Sequence, residues 1–324
     1  MTVSPFVTKI FRGNHGNIIL KQQYMIPFHH CRHFAKYNYF PNDVPALKRL
    51  GKVSLTGFIG GGVGALCGVG GGVVMIPFLR LITTLTAHQI AATSLIAVVT
   101  GASFAAYSYS QHDIIRIPVG LSMALCGMMF SGFGAIIARK ISSRMLTGIT
   151  SLILYGCCVP IWHNTKNIKD KNGDNINRNS NASLDYNTIQ LHRKEEEIFW
   201  NKPYIWLKDN YKFCLIGGLA GFASGLIGIG GGIVTTTFLS GFTEFTQHEA
   251  IATSLFTMLP SSLVGLAVHI RNKQVSLVVG IPLAIMCGIG MIASSNIAIG
   301  IKDEYLRKGF VLFLLGSSTL MLKD

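Results

Sequence analysis

The sequence predicts an all-α integral membrane protein with about eight transmembrane helices, in two homologous four-segment repeats whose glycine-rich first segments are broken. Three observations predict it. The chain is 49% hydrophobic and only 13% charged over 324 residues, where a soluble domain carries roughly 25% charge. The apolar residues fall in long runs that hold no Asp, Glu, Lys or Arg. And residues 57–104 repeat as 217–264 at a constant offset of 160 residues, with 17 of 48 positions identical.

Taken in order, residues 1–52 form a basic N-terminal tail with a single acid, Asp43. It has no apolar stretch suited to a signal peptide and is read as a cytosolic tail or an organellar targeting segment. The first repeat, 53–162, holds the uncharged runs Val53–Leu79, Leu81–His112, Ile117–Ala138 and Met145–Thr165. Residues 163–211 are an Asn-rich linker, expected to be disordered and cytosolic because it has little apolar surface to bury. The second repeat, 212–324, holds Phe213–Thr243, Ala250–Ile270, Gln274–Ile301 and the shorter Gly309–Leu322, which Tyr305–Lys308 must extend. A spanning helix needs about 20 apolar residues, whereas strands of a membrane barrel are about 10 residues of alternating character. The runs therefore predict helices.

The net charge of +14 sits in the tail, the linker and the loops. No basic stripe is interleaved with aromatic residues, so nucleic acid is not an expected partner. Eight crossings from a cytosolic N-terminus put 21 Lys/Arg inside and 7 outside, which predicts cytosolic termini. The membrane, plasma or organellar, is left open. The seven cysteines lack metal-ligand spacing and read as small buried apolar residues, although adjacent Cys157 and Cys158 could form a strained redox pair. Asn181-Ala182-Ser183 is a glycosylation sequon without meaning on a cytosolic linker.

The glycines fall into two classes. Gly60, Gly64 and Gly68, and likewise Gly217, Gly221 and Gly225, stand four apart and suit close helix packing. The triplets Gly70-Gly71-Gly72 and Gly230-Gly231-Gly232 are expected to break their helices. A break at mid-membrane leaves half-helix N-termini whose free N–H groups suit a small anion. Thr93-Ser94 and Thr253-Ser254 follow in both repeats and are candidate neutral donors to that anion. The alternative is bonding to their own helix backbone. His88 and His248 stand five residues before those threonines, as structural or proton-linked groups. The uncharged runs contain no carboxylate, which fits an anion better than a cation. No cofactor, metal or catalytic residue is expected: HExxH, GxSxG and a Walker lysine are all missing.

On the duplicated stretches Leu66–Leu79 with Ala92-Thr93-Ser94, and Leu226–Leu239 with Ala252-Thr253-Ser254, the chain resembles the TauE/SafE family of sulfite exporter-like permeases. One departure is Thr237, which stands where the first copy has Pro77. The resemblance implies transport of small anions, such as sulfite or sulfonates, across the bilayer. A carrier that alternates between its two halves is the leading expectation, and a passive anion channel or a non-transporting scaffold or receptor are the alternatives. Oligomeric state, coupling ion and the relative orientation of the repeats are left open. Four crossings per repeat would make the repeats parallel, and a re-entrant first segment would invert them.

Overall fold

The structure is a computed structural model that describes residues 11–12, 18–19, 46–142, 145–157, 196–243 and 245–322. The rest of the tail, most of the linker with its sequon, and Cys158 lie outside the described residues. The chain divides into two units, Met1–Asn38 and Tyr39–Asp324. In the first, β1 (Phe11–Arg12) pairs antiparallel with β2 (Ile18–Ile19). This two-residue ladder is the one departure from the expected all-α content among the described residues.

The second unit is helical. The first repeat runs α1 (Ala46–Cys67), α2 (Gly72–Ile82), α3 (Ala87–Ser110), α4 (Ile117–Ala138) and α5 (Met145–Cys157). A helical segment α6 over 196–201 and α7 (Pro203–Asp209) lead into the second repeat. There follow α8 (Tyr211–Ile227), α9 (Gly232–Phe242), α10 (Gln247–Arg271), α11 (Leu277–Ile299) and α12 (Asp303–Leu322). Five helices are long and apolar enough to cross a membrane: α1 from Leu50 onward, α3, α4, α10 and α11. Their outer faces are bare hydrocarbon at helical spacing, as in Leu125, Met129, Phe133 and Ile136 of α4 and Ile281, Ile285, Ile289 and Ile292 of α11.

The 160-residue offset recurs in the local chemistry that starts each helix. Thr86 caps α3 and Thr246 caps α10, each in a reciprocal capping box, with Gln89 in one and Glu249 in the other. Asp113 and Lys273, at the same offset, are the non-glycine residues with positive φ, 52° and 56°, among the described residues. They end the turns that lead into α4 and α11.

The first segments are not spanning rods. α2 turns back beside α1: an ideal Cβ on Gly60 would lie 2.7 Å from Met75 Cγ, and one on Gly71 would lie 2.6 Å from the Gly60 carbonyl oxygen. Near the start of α1, Lys52, Leu55 and Ile59 line one cavity together with Phe78 and Ile82 of α2. Each repeat therefore opens with a hairpin of a long helix and a half-length helix. This replaces the single broken span expected for 53–79.

The halves are intertwined and antiparallel. α11 runs alongside α3 in the same direction: Thr93 meets Ser276, Gly101 meets Cys287 and Ser108 meets Asn296. Since α10 ends where α11 begins, α3 and α10 run in opposite directions. α4 and α10 run together in the same way, from Gly120 at Thr253 and Phe256 to Ser131 at Ser261. The long hairpin helices cross to the other half: α1 packs on α11 and α8 on α4. Glycines allow that approach. Gly57 and Gly61 abut the backbone at Leu283 and Cys287, while Gly217, Gly221 and Gly225 abut Met123, Gly127 and Ser131. Hence α1 enters from the end of the bundle where α3 starts, here the proximal end. α8 enters from the end where α10 starts, the distal end.

Candidate functional site

Both hairpins turn inside the bundle, through left-handed backbone that glycine adopts without strain. Gly68, Gly70 and Gly71 have φ of 69°, 70° and 80°; Gly228, Gly230 and Gly231 have 80°, 81° and 74°. An L-residue there costs roughly 1–2 kcal/mol in backbone strain alone. The triplets expected to break the helices do so at their first two glycines. Gly72 and Gly232 are instead the first residues of the half-helices. Gly68, expected on a packing face, is part of the break. Pro77 leaves no mark on this geometry, since α2 and α9 both have 11 residues and the turns match angle for angle.

The two turns meet at mid-depth. Val98, at the centre of α3, and Met258, at the centre of α10 and 160 residues later, each reach both turns. An ideal Cβ on Gly70 would lie 3.1 Å from Val98 Cγ1 and 3.3 Å from Met258 Sδ. One on Gly230 would lie 2.6 Å from Val98 Cγ1. Gly72 in turn faces the chain at Ile229 and Gly228. The N-termini of α2 and α9 thus face one central volume, filled here by the Val98 and Met258 side chains. The turns and both side chains are fully buried.

The hydroxyls of the two Thr-Ser pairs are engaged with main chain of the opposite half. Ser94 Oγ donates to the Gly228 carbonyl at 3.0 Å and to Ala91 O at 2.9 Å. Ser254 Oγ donates to Gly68 O at 2.9 Å and to Gly232 O at 3.1 Å. Thr93 Oγ1 accepts the Ser276 N–H at 3.1 Å, and Thr253 Oγ1 accepts the Arg116 N–H at the same distance. Ser276 and Arg116 stand at the N-caps of α11 and α4. The pairs therefore lock each glycine turn, and each following helix start, onto the other repeat.

The histidines lie away from the turns. His248 pairs through Nδ1 with Asp303, whose carboxylate also accepts the Gln247 N–H at 2.8 Å, so this cluster caps the distal start of α10. His88 is half-buried in the first turn of α3. Glu249, one residue before an uncharged run, is buried, and it pairs with Arg116 Nε at 3.0 Å at the same distal end.

Sequence reasoning missed Val98, Met258 and a pair of arginines. Arg80 on α2 donates to the Thr147 hydroxyl on α5, and Arg307 on α12 donates to Ser240 O on α9 at 3.3 Å. Residues 80 and 240 are equivalent, as are 147 and 307. Each half-helix therefore has a guanidinium at its C-terminal end, where a cation complements the helix dipole, but the residue that supplies it has changed helix. The duplication hides this exchange, because neither arginine aligns with an arginine.

The model of the family described as Sulfite exporter TauE/SafE matches residues 53–321. The "Probable membrane transporter protein YunE" of Bacillus subtilis is 26% identical over 227 residues, 68% of this chain and 78% of the relative. The "Probable membrane transporter protein MJ0441" of Methanocaldococcus jannaschii is 24% identical over 273 residues, 80% of this chain and 89% of the relative. No solved structure matches the chain.

Proposed function

Because the chain belongs to the TauE/SafE family, we propose that it is a secondary transporter of small sulfur-containing anions, sulfite or sulfonates, working by alternating access of two inverted repeats. The observation that carries this reading is the meeting of two half-helix N-termini at mid-depth, from hairpins that enter the bundle at opposite ends. In the proposal α3, α4 and α5 cross the membrane once each, as do α10, α11 and α12, and the hairpins do not cross. Three crossings per half is odd, which is what inversion requires.

The candidate ligands of the substrate are the main-chain N–H groups at the two turns, those of Gly70, Gly71 and Gly72 and those of Gly230, Gly231 and Gly232. Thr93, Ser94, Thr253 and Ser254, with hydroxyls engaged across the halves, hold the frame in which those amides stand. His88 and His248 sit at helix starts toward the two aqueous ends, where proton linkage would act on access and not on the substrate. Burial of both turns among the described residues favours a carrier over a channel. Among the described residues no charged side chain stands at the turns, and the cost of burying an ion rises steeply with its charge. Monovalent anions are therefore preferred. Flux of labelled sulfite, methanesulfonate and sulfate into proteoliposomes tests this: saturable flux with counterflow is expected, methanesulfonate outrunning sulfate. Absence of flux for all three would sink the reading.

A further inference from the structure

We propose that the anion site is one-sided: it is built on the α9 N-terminus with Ser262 as its side-chain donor, and the Met258 thioether is its displaceable stopper. This rests on the reading of the glycine turns as the substrate site, and it names which of the two turns binds and what must move.

The first observation is an unpartnered hydroxyl. Ser262 is wholly buried and its Oγ has no hydrogen-bond partner. It stands one helical turn after Met258 on α10, and its Oγ would lie 3.4 Å from an ideal Cβ on Gly230. The second observation is Ser224, also wholly buried with an unpartnered Oγ, whose Cβ would lie 3.4 Å from an ideal Cβ on Gly231. Leaving a buried hydroxyl unsatisfied is costly. Two at one turn offer a group that accepts hydrogen bonds a pair of free donors. An oxyanion offers acceptors only, and α9, with 11 residues, presents its free N–H groups and the positive end of its dipole at the same point.

The first repeat lacks this equipment. The positions equivalent to Ser262 and Ser224 are Ala102 and Gly64. The α2 turn therefore offers main chain alone, and the two turns, alike in backbone, differ in chemistry.

Met258 occupies the space an anion needs. Its Sδ would lie 3.2 Å from an ideal Cβ on Gly232 and 3.3 Å from one on Gly70. An unbranched thioether adopts new rotamers readily. The β-branched Val98 at the equivalent position is stiff. Pro260 inside α10, two residues beyond Met258, removes a backbone hydrogen bond where the helix must yield.

The test uses the purified full chain, as wild type and as Ser262→Ala. The thermal midpoint in detergent is read against sulfite concentration, and sulfite flux is read in liposomes. We expect sulfite to raise the wild-type midpoint, and Ser262→Ala to weaken the apparent Kd about tenfold, the loss of one hydrogen bond to a charged ligand. The midpoint without ligand should stay or rise in the variant, because an unsatisfied polar group has been removed; a structural serine would lower it. An unchanged Kd, or a wild-type protein that sulfite does not stabilise, overturns the proposal even if flux proceeds. Binding that depends on Ser262 in a protein without flux upholds the site and removes only the transport reading.

Discussion

At the scale of single residues, the same side-chain type does two separable jobs. Ser254 and Ser262 both lie on α10, both are buried, and both approach a glycine turn. Ser254 donates to two carbonyls and joins the halves, whereas Ser262 has no partner. Ser254→Ala should therefore lower the thermal midpoint, with a loss on the order of 1 kcal/mol, because a hydrogen bond between the halves is lost while Gly68 O keeps the Thr236 hydroxyl as a donor. The sulfite Kd of the surviving folded protein should stay within about twofold. A tenfold weaker Kd at an unchanged midpoint would place Ser254 on the anion instead. Repetition in the sequence singled out Thr93-Ser94 and Thr253-Ser254 as a pair with a role. It could not tell that role, because their partners are carbonyls and amides 134 to 186 residues away. Ser262 carried no signal at all, being a serine in one copy only.

At the scale of elements, the glycine runs were legible as breaks because three adjacent glycines are costly in a helix wherever it sits. What they broke into was not legible. A kinked span and a re-entrant hairpin share the same composition, and the choice falls to long-range packing: Gly57 and Gly61 of α1 abut α11 while Met75 folds back on Gly60. The α9 half-helix depends on Gly231, where φ is 74° and an ideal Cβ would lie 2.8 Å from the Ala220 carbonyl carbon. Gly231→Leu adds both left-handed strain and a collision with backbone, so flux should fall below a tenth of wild type. Gly51 near the proximal start of α1 has no atom within 4 Å of an ideal Cβ, and Gly51→Ala should leave flux unchanged. Equal flux in Gly231→Leu would show that the turn only packs.

For the whole molecule, the hairpins change where the connections lie. Eight crossings put the linker on the same side as the N-terminus, and the excess of Lys/Arg inside rests on that placement. With non-crossing hairpins, α1 and the α4–α5 connection lie at the proximal end, where Arg139 Nη1 donates to Asn272 Oδ1 at 3.1 Å. α7 lies at the distal end, with Trp206 buried against Phe213 and, through it, Phe238. The two counts differ because eight crossings take every long apolar run across, whereas in the proposed topology two of the eight turn back. Long loops count little in the rule, so the bias of the remaining short connections still favours a cytosolic proximal end. The two topologies separate cleanly with an impermeant thiol reagent on sealed cells carrying Lys48→Cys, Lys140→Cys or Tyr204→Cys, in a background without native cysteines. All three positions are exposed. Inverted hairpins require Lys48→Cys and Lys140→Cys to react from one face and Tyr204→Cys from the other. An eight-crossing protein would pair Lys48→Cys with Tyr204→Cys instead, and alternating access between two inverted halves would then lose its structural basis.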